Sequence, residues 1–170
     1  DLPPCYYSHP LVRKYGSDGP VFAYALYLDG VPYCIEDTVI GFWLKNLVTG
    51  ERTLFLVVRR RTLCTCGCRG WCTLFPLFLF VKWVLKAMGE GVMPIGRYDY
   101  MPWGCLDTVR SAKAGTALRA HHAVLWVAGD WSEYAHTLGF PGWNDGLRPC
   151  VECNADIASM LELAPAVTPE

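Results

Sequence analysis

Apolar and aromatic residues fall in short blocks along this chain, separated by turn formers. Val21–Leu28 (VFAYALYL) is the first block and stops at Asp29-Gly30. Its length and its stop predict a buried strand. Thr38–Leu47 (TVIGFWLKNL) is a second β-rich block, Thr49-Gly50-Glu51 a tight turn, and Arg52–Arg59 (RTLFLVVR) a third block. So short a polar turn between two such runs reads as a hairpin, and three sequential strands most simply form an antiparallel meander. Cys64–Cys72 (CTCGCRGWC) is too rich in Gly and Cys for regular structure. Thr73–Met88 then carries Leu77, Phe80, Val81, Val84, Leu85 and Met88 at helical spacing. Pro76 is tolerable in a first turn, and Gly89 and Gly91 are stops.

The rest alternates in the same way. Residues 89–112 read as a long loop with a short helix near Asp107–Lys113. Ala123–Ala128 (AVLWVA) is a fourth buried strand ending at Gly129-Asp130. Trp131–Leu138 has helical spacing with Gly139 as its cap, Gly142–Cys153 is loop, and Asp156–Leu163 is a short terminal helix. Residues 1–20, punctuated by Pro and Gly, read as an irregular lead-in. The domain proper is expected over 21–155, with a terminal helix and tail over 156–170. The order predicts an α/β fold: an antiparallel meander of three strands, a fourth strand made parallel by a helical crossover, and a Cys-rich loop insertion.

Composition narrows the function classes. The 170 residues carry 52% hydrophobics, 14% aromatics and a net charge of −1. A disordered chain would be richer in charge and poorer in aromatics. A uniformly basic nucleic-acid coat is excluded too, so any nucleic-acid contact must be a local patch. Lys82 and Lys86 interrupt the longest apolar stretch, Trp71–Leu85, which falls short of the ~20 apolar residues of a membrane span. It is expected as a buried helix, with no membrane partner. Nine cysteines without a secretory leader favour a reducing compartment over a disulfide framework.

Two constellations could carry chemistry. Asp29 and Asp130 each follow an apolar strand, so parallel neighbouring strands would bring both carboxylates to one end of the sheet. Paired hard oxygen donors suit Mg²⁺ or Mn²⁺, and two such ions serve phosphodiester chemistry. The plainer alternative is an Asp-Gly turn at Asp29 and a helix cap at Asp130. The second constellation is Cys64, Cys66, Cys68 and Cys72, together with the CxxC knuckle Cys150/Cys153. CxxC spacing lets two thiolates reach one tetrahedral Zn²⁺, so a site joining Cys150 and Cys153 to two upstream cysteines is one reading. Free buried thiols are the other. Arg59, Arg60, Arg61 and Arg69 form a basic stretch that could hold phosphate or simply stay solvated. His121 and His122 would face opposite sides of a strand and so not share a metal. His136 is expected in the core or at the surface. Trp131 and Trp143 are the aromatics placed to touch a ligand.

These residues resemble a known family. Tyr27-Leu28-Asp29-Gly30-Val31-Pro32-Tyr33, the hairpin with Asn46-Leu47 and Arg52, then Ala128-Gly129-Asp130-Trp131 and Pro149-Cys150-Val151-Glu152-Cys153 occur in an order similar to that of eukaryotic cut-and-paste transposases, the CACTA and Plavaka-like group. The resemblance spans about residues 21–155 by order of elements and implies an RNase H-like core. It implies Asp29 and Asp130 as the first two acids of a DDE/D triad that binds Mg²⁺ (or Mn²⁺) and cuts and joins DNA in the nucleus. Cys150/Cys153 would be half of a zinc site. A third acid should follow a fifth strand. Asp156 and Glu162 are the acids on the terminal helix and no such strand precedes them, so the third acid is expected beyond residue 170 or the element is degenerate. Two readings from other classes compete: a non-catalytic, zinc-stabilised module that binds nucleic acid or protein, and a secreted disulfide-bonded domain.

Overall fold

The computed structural model describes residues 1–142 and 145. The chain divides between Ala128 and Gly129 into two compact units. Strands β1 (Val21–Cys34), β2 (Asp37–Asn46), β3 (Arg52–Arg59) and β4 (His121–Gly129) form one sheet in the order β3-β2-β1-β4. β1–β2 and β2–β3 are antiparallel and β4 is the one parallel partner, so the expected α/β arrangement of meander plus returned strand is present.

The end of β1 differs from expectation. β1 does not turn at Asp29-Gly30 but runs on to Cys34, with Asp29 paired to Gly41 and Gly30 to Ile40. A turn-forming dipeptide stays extended when its neighbour strand offers a continuous ladder, and the reversal falls instead at Ile35-Glu36. The β2–β3 turn is where it was expected. There the Asn46 side chain accepts from Val48 N (2.9 Å) and Thr49 N (3.1 Å), and Gly50 supplies a φ of 75°. Phe42 pairs with Leu56 and Trp43 with Leu54, so Phe55 is an extra residue, a bulge in β3.

The two faces of the sheet differ. Leu26, Leu28, Ile40, Phe42 and Leu44 share one face and are buried. The Phe78 ring stands edge-on to Phe42 at 6.0 Å, which seats the long helix α3 (Trp71–Glu90) there. On the opposite face Tyr27 and Asp29 lie beside Trp43 and Gly41. The Trp43 indole lies over Gly41, where a Cβ would come within 2.0 Å of the ring, so only glycine leaves room for it.

α3 corrects three expectations. It starts two residues early, which puts Pro76 at its sixth position and not in the first turn, so one backbone donor of the ladder is lost. Gly89 lies inside the helix, buried, and the stop is Gly91 at φ 66°. Nor is the helix buried: only Leu74, Val81 and Gly89 are, and just 17% of its most apolar 18-residue window is. By length and composition alone it meets the size of a membrane span; within this fold it covers the sheet.

The lead-in is not irregular. It forms α1 (Pro4–Ser8) and α2 (Pro10–Tyr15), each begun by a proline. Proline at the first helical position is pre-organised for the helix, so the residues that read as breakers are starters. Tyr6 Oη donates to Val21 O (2.7 Å), and Tyr15 stacks on His121 at 3.8 Å, tying these helices to β1 and β4. Between α3 and β4 the chain closes on itself: Val92 bridges Ala117, and Met93 N donates to Thr116 O at 2.9 Å. The short helix α4 (Thr108–Lys113) sits within that loop. After β4 the second unit opens with α5 (Trp131–His136), two residues shorter than its spacing predicts.

Candidate metal centre

The Cys64–Cys72 loop begins just after β3 and ends inside the first turn of α3. Three residues with positive φ coil it: Gly67 (94°), Arg69 (53°) and Gly70 (84°). That curvature brings four sulfurs together. Cys64, Cys66, Cys68 and Cys72 lie within 4.8 Å of one another, and the Cys66 and Cys72 Sγ atoms are 3.8 Å apart. A tetrahedral ion with metal–sulfur bonds of about 2.3 Å spaces its sulfurs at about 3.8 Å. The four ligands are thus near their final geometry and need to close by about 1 Å or less at the widest pair.

Local hydrogen bonds hold the loop to the helix. Cys72 N donates to Cys68 Sγ (3.4 Å), Cys64 N to Thr73 Oγ1 (2.9 Å) and Trp71 N to Cys68 O (3.0 Å). The Cys72 N–H on its sulfur, followed by the Cys66 thiol, brings Cys68 down to about 6. Contact with the Cys68 sulfur, then with Cys66, pushes Cys72 up to about 12. An S₄ donor set of this kind suits a thiophilic ion such as Zn²⁺. Among the described residues it is the one group of three or more Cys, His, Asp or Glu side chains close enough to hold an ion. All seven described cysteines are unbridged.

The four upstream cysteines offer four sulfur donors close together, and the sequence-based grouping joins two of them to Cys150 and Cys153. Cys150 and Cys153, with Trp143, Asp156 and Glu162, lie outside the described residues. The side chain of Trp131 is likewise not described.

The aspartates have different surroundings. Asp29 is half-buried on β1, and Tyr27 Oη donates to its Oδ2 at 3.1 Å. Asp130, in the second unit, is the N-cap of α5: its Oδ1 accepts from Glu133 N at 2.7 Å. The cap expected as the plainer reading of Asp130 is therefore present, and Mg²⁺ or Mn²⁺ gains no support from either carboxylate's described neighbours.

The arginines also divide. Asp37, its side chain 2% exposed, receives Arg59 Nε at 2.9 Å and Arg61 Nε at 3.3 Å, and the backbone N–H groups of Thr38 (3.0 Å) and Arg61 (3.2 Å). Burial pushes this carboxyl up. The Arg59 guanidinium and the Arg61 and Thr38 N–H groups outweigh burial and hold it below the ordinary carboxylate range. Arg59 also donates to Tyr33 Oη and lies over that ring. Two of the four arginines assigned to phosphate thus clamp the start of β2 to the end of β3. Arg60 sits in the single 3-10 turn that follows β3, and Arg69 is exposed in the cysteine loop.

Sequence reasoning missed Asp37 and Glu133. The Asp37 clamp spans 22 residues and has no local signature. Glu133, 2% exposed and accepting from Thr137 Oγ1, does have one: Asp130-x-x-Glu133 is the spacing of a capping box. The histidines point apart as expected. His121 stacks on Tyr15 with its Nδ1 3.1 Å from Gly89 O, while His122 lies between Phe22 and Tyr24, and burial lowers its pKa. His136 is exposed at the end of α5. No protein-family model matches this chain, and neither a curated protein nor a solved structure matches it.

Proposed function

We propose that this chain is an RNase H-like, transposase-type nuclease domain that acts on DNA in the nucleus and is braced by zinc at Cys64, Cys66, Cys68 and Cys72. The observation that carries the reading is the sheet: order β3-β2-β1-β4, with β4 parallel to β1 and returned through α3. That is the order of elements which the resemblance implies. The reading gives Asp29 and Asp130 the part of metal-binding acids, from their positions on β1 and directly after β4. Divalent magnesium or manganese would supply the activated oxygen nucleophile and stabilise the leaving oxygen. With Arg59 and Arg61 committed to Asp37, Arg69 is the first candidate for phosphate contact.

Mn²⁺ titration, followed by electron paramagnetic resonance, tests the proposal. Expected is Mn²⁺ affinity in the wild type that falls at least tenfold in Asp29→Asn, with the circular dichroism spectrum kept. Mn²⁺ affinity that is absent, or indifferent to Asp29, overturns it. A second reading, the non-catalytic zinc module, is favoured by one observation: the Asp130 carboxylate already has a structural partner in Glu133 N.

A further inference from the structure

The described residues contain a cleft of about 500 Å³ away from both constellations, between one side of α3 and residues 92–100. That volume lies within the ~300–1,000 Å³ of ligand pockets. Its walls are built, not incidental. Trp83 Nε1 donates to Gly96 O at 2.9 Å, and Phe80 meets Tyr98 edge-on at 5.9 Å, so the loop is fastened to the helix. Arg97 N donates to Met101 O (2.9 Å) and Tyr100 N to Arg97 O (3.1 Å), closing a tight turn. Within that turn Tyr100 takes a φ of 64° and is 79% exposed at the cleft. A left-handed backbone is costly for a bulky residue, and here it presents a ring that no packing uses.

The charges around the cleft are mostly positive. Lys82, Lys86 and Arg97 line it, against Glu90. Lys86 is 3.8 Å from Glu90, and Arg97 is paired with Asp99 at 2.8 Å. Lys82 has no carboxylate partner among the described residues. An aromatic-walled cleft with a spare ammonium at its rim matches a flat ring that carries an anion.

We infer that this cleft takes one nucleotide unit of single-stranded DNA, its base against Trp83 and Tyr100 and its phosphate at Lys82. The choice of a nucleotide over other aromatic anions rests on the DNA reading above. Stacking on aromatic rings tolerates any base, and the phosphate adds salt dependence.

The test is fluorescence anisotropy of a labelled eight-residue oligo-dT with the whole chain and no added divalent ion. It therefore reads strand binding independently of the Mn²⁺ experiment. Lys82→Gln and Tyr100→Ala each alter an exposed residue, and circular dichroism checks their fold. Each should weaken binding roughly fivefold or more, with Lys82→Gln also reducing the salt slope by about 0.7. Arg13→Gln on α2 should leave binding unchanged. Wild-type affinity in both cleft variants, or no binding by the wild type, overturns the proposal. So does equal affinity for an abasic oligomer, or equal competition by polyglutamate, which would leave only a charge effect.

Discussion

Two polar nodes sit within a few residues of each other along the chain, and they differ in what they lack. At the Asp37 node a buried carboxylate meets two guanidinium groups and two backbone N–H groups. Its charge and its lone pairs are satisfied by the chain itself. The cysteine node gathers four sulfurs within 4.8 Å on a loop that half faces solvent. Of the three left-handed residues that coil it, Gly67 and Gly70 take that conformation freely and Arg69 pays a local backbone cost. A node that is complete holds two strands together. A node of four gathered sulfurs could hold a thiophilic ion.

The largest expected effect separates the two directly. Stripping the metal with a strong chelator, or the Cys66→Ser/Cys72→Ser pair, should lower Tm by roughly 10 °C or more, since metal binding is coupled to folding. The sheet signature in circular dichroism should persist below the new midpoint. An unchanged Tm would make the sulfur cluster ordinary packing.

Next in size is Asp37→Asn, expected to lower Tm by about 5 °C at neutral pH, measured by calorimetry. The pH dependence fixes its cause. The native Asp37 pKa is depressed, so its contribution is present above the unfolded value of about 3.9. It is lost as the pH falls through the lower native value. The wild type should therefore lose stability more steeply below about pH 4 than the variant. Parallel profiles would show that the clamp is not what the charge holds.

Gly70→Ala is smaller, about 1–2 kcal/mol by denaturant unfolding, because φ is 84° there and a Cβ would meet Leu63 at 3.1 Å. The same change at Gly19, which has open space and no positive φ, should cost under about 0.5 kcal/mol. The smallest effect divides the clamp itself. Arg61 is 61% exposed and Arg59 36%, so Arg61→Ala should lower Tm by less than Arg59→Ala, which also loses Tyr33.

Much of the fold was legible because its strands and long helix are local patterns. VFAYALYL, TVIGFWLKNL and RTLFLVVR fall inside β1, across β2 and on β3, and the crossover through α3 follows from their order. What was not legible depended on partners distant in sequence. Asp29-Gly30 reads as a turn until β2 is laid beside it. Trp71–Leu85 reads as a buried helix until one sees that a single sheet face covers it. The cysteine cluster was legible as a candidate metal site, and the CxxC pair Cys150/Cys153 expected to share it lies outside the described residues. The positive-φ residues that close the four upstream sulfurs on each other leave only a faint trace, the glycines Gly67 and Gly70. Asp37 gave no signal at all, because its arginines lie across the β2–β3 hairpin.

We propose that one ion is held by four ligands from the nine consecutive residues Cys64–Cys72. Zinc content per chain, measured on unchelated protein, tests it most directly when taken on three forms. The wild type and Cys150→Ser/Cys153→Ser should each hold one zinc, and Cys66→Ser/Cys72→Ser should hold none. Zinc lost with the Cys150/Cys153 pair, or kept without Cys66 and Cys72, would contradict the account.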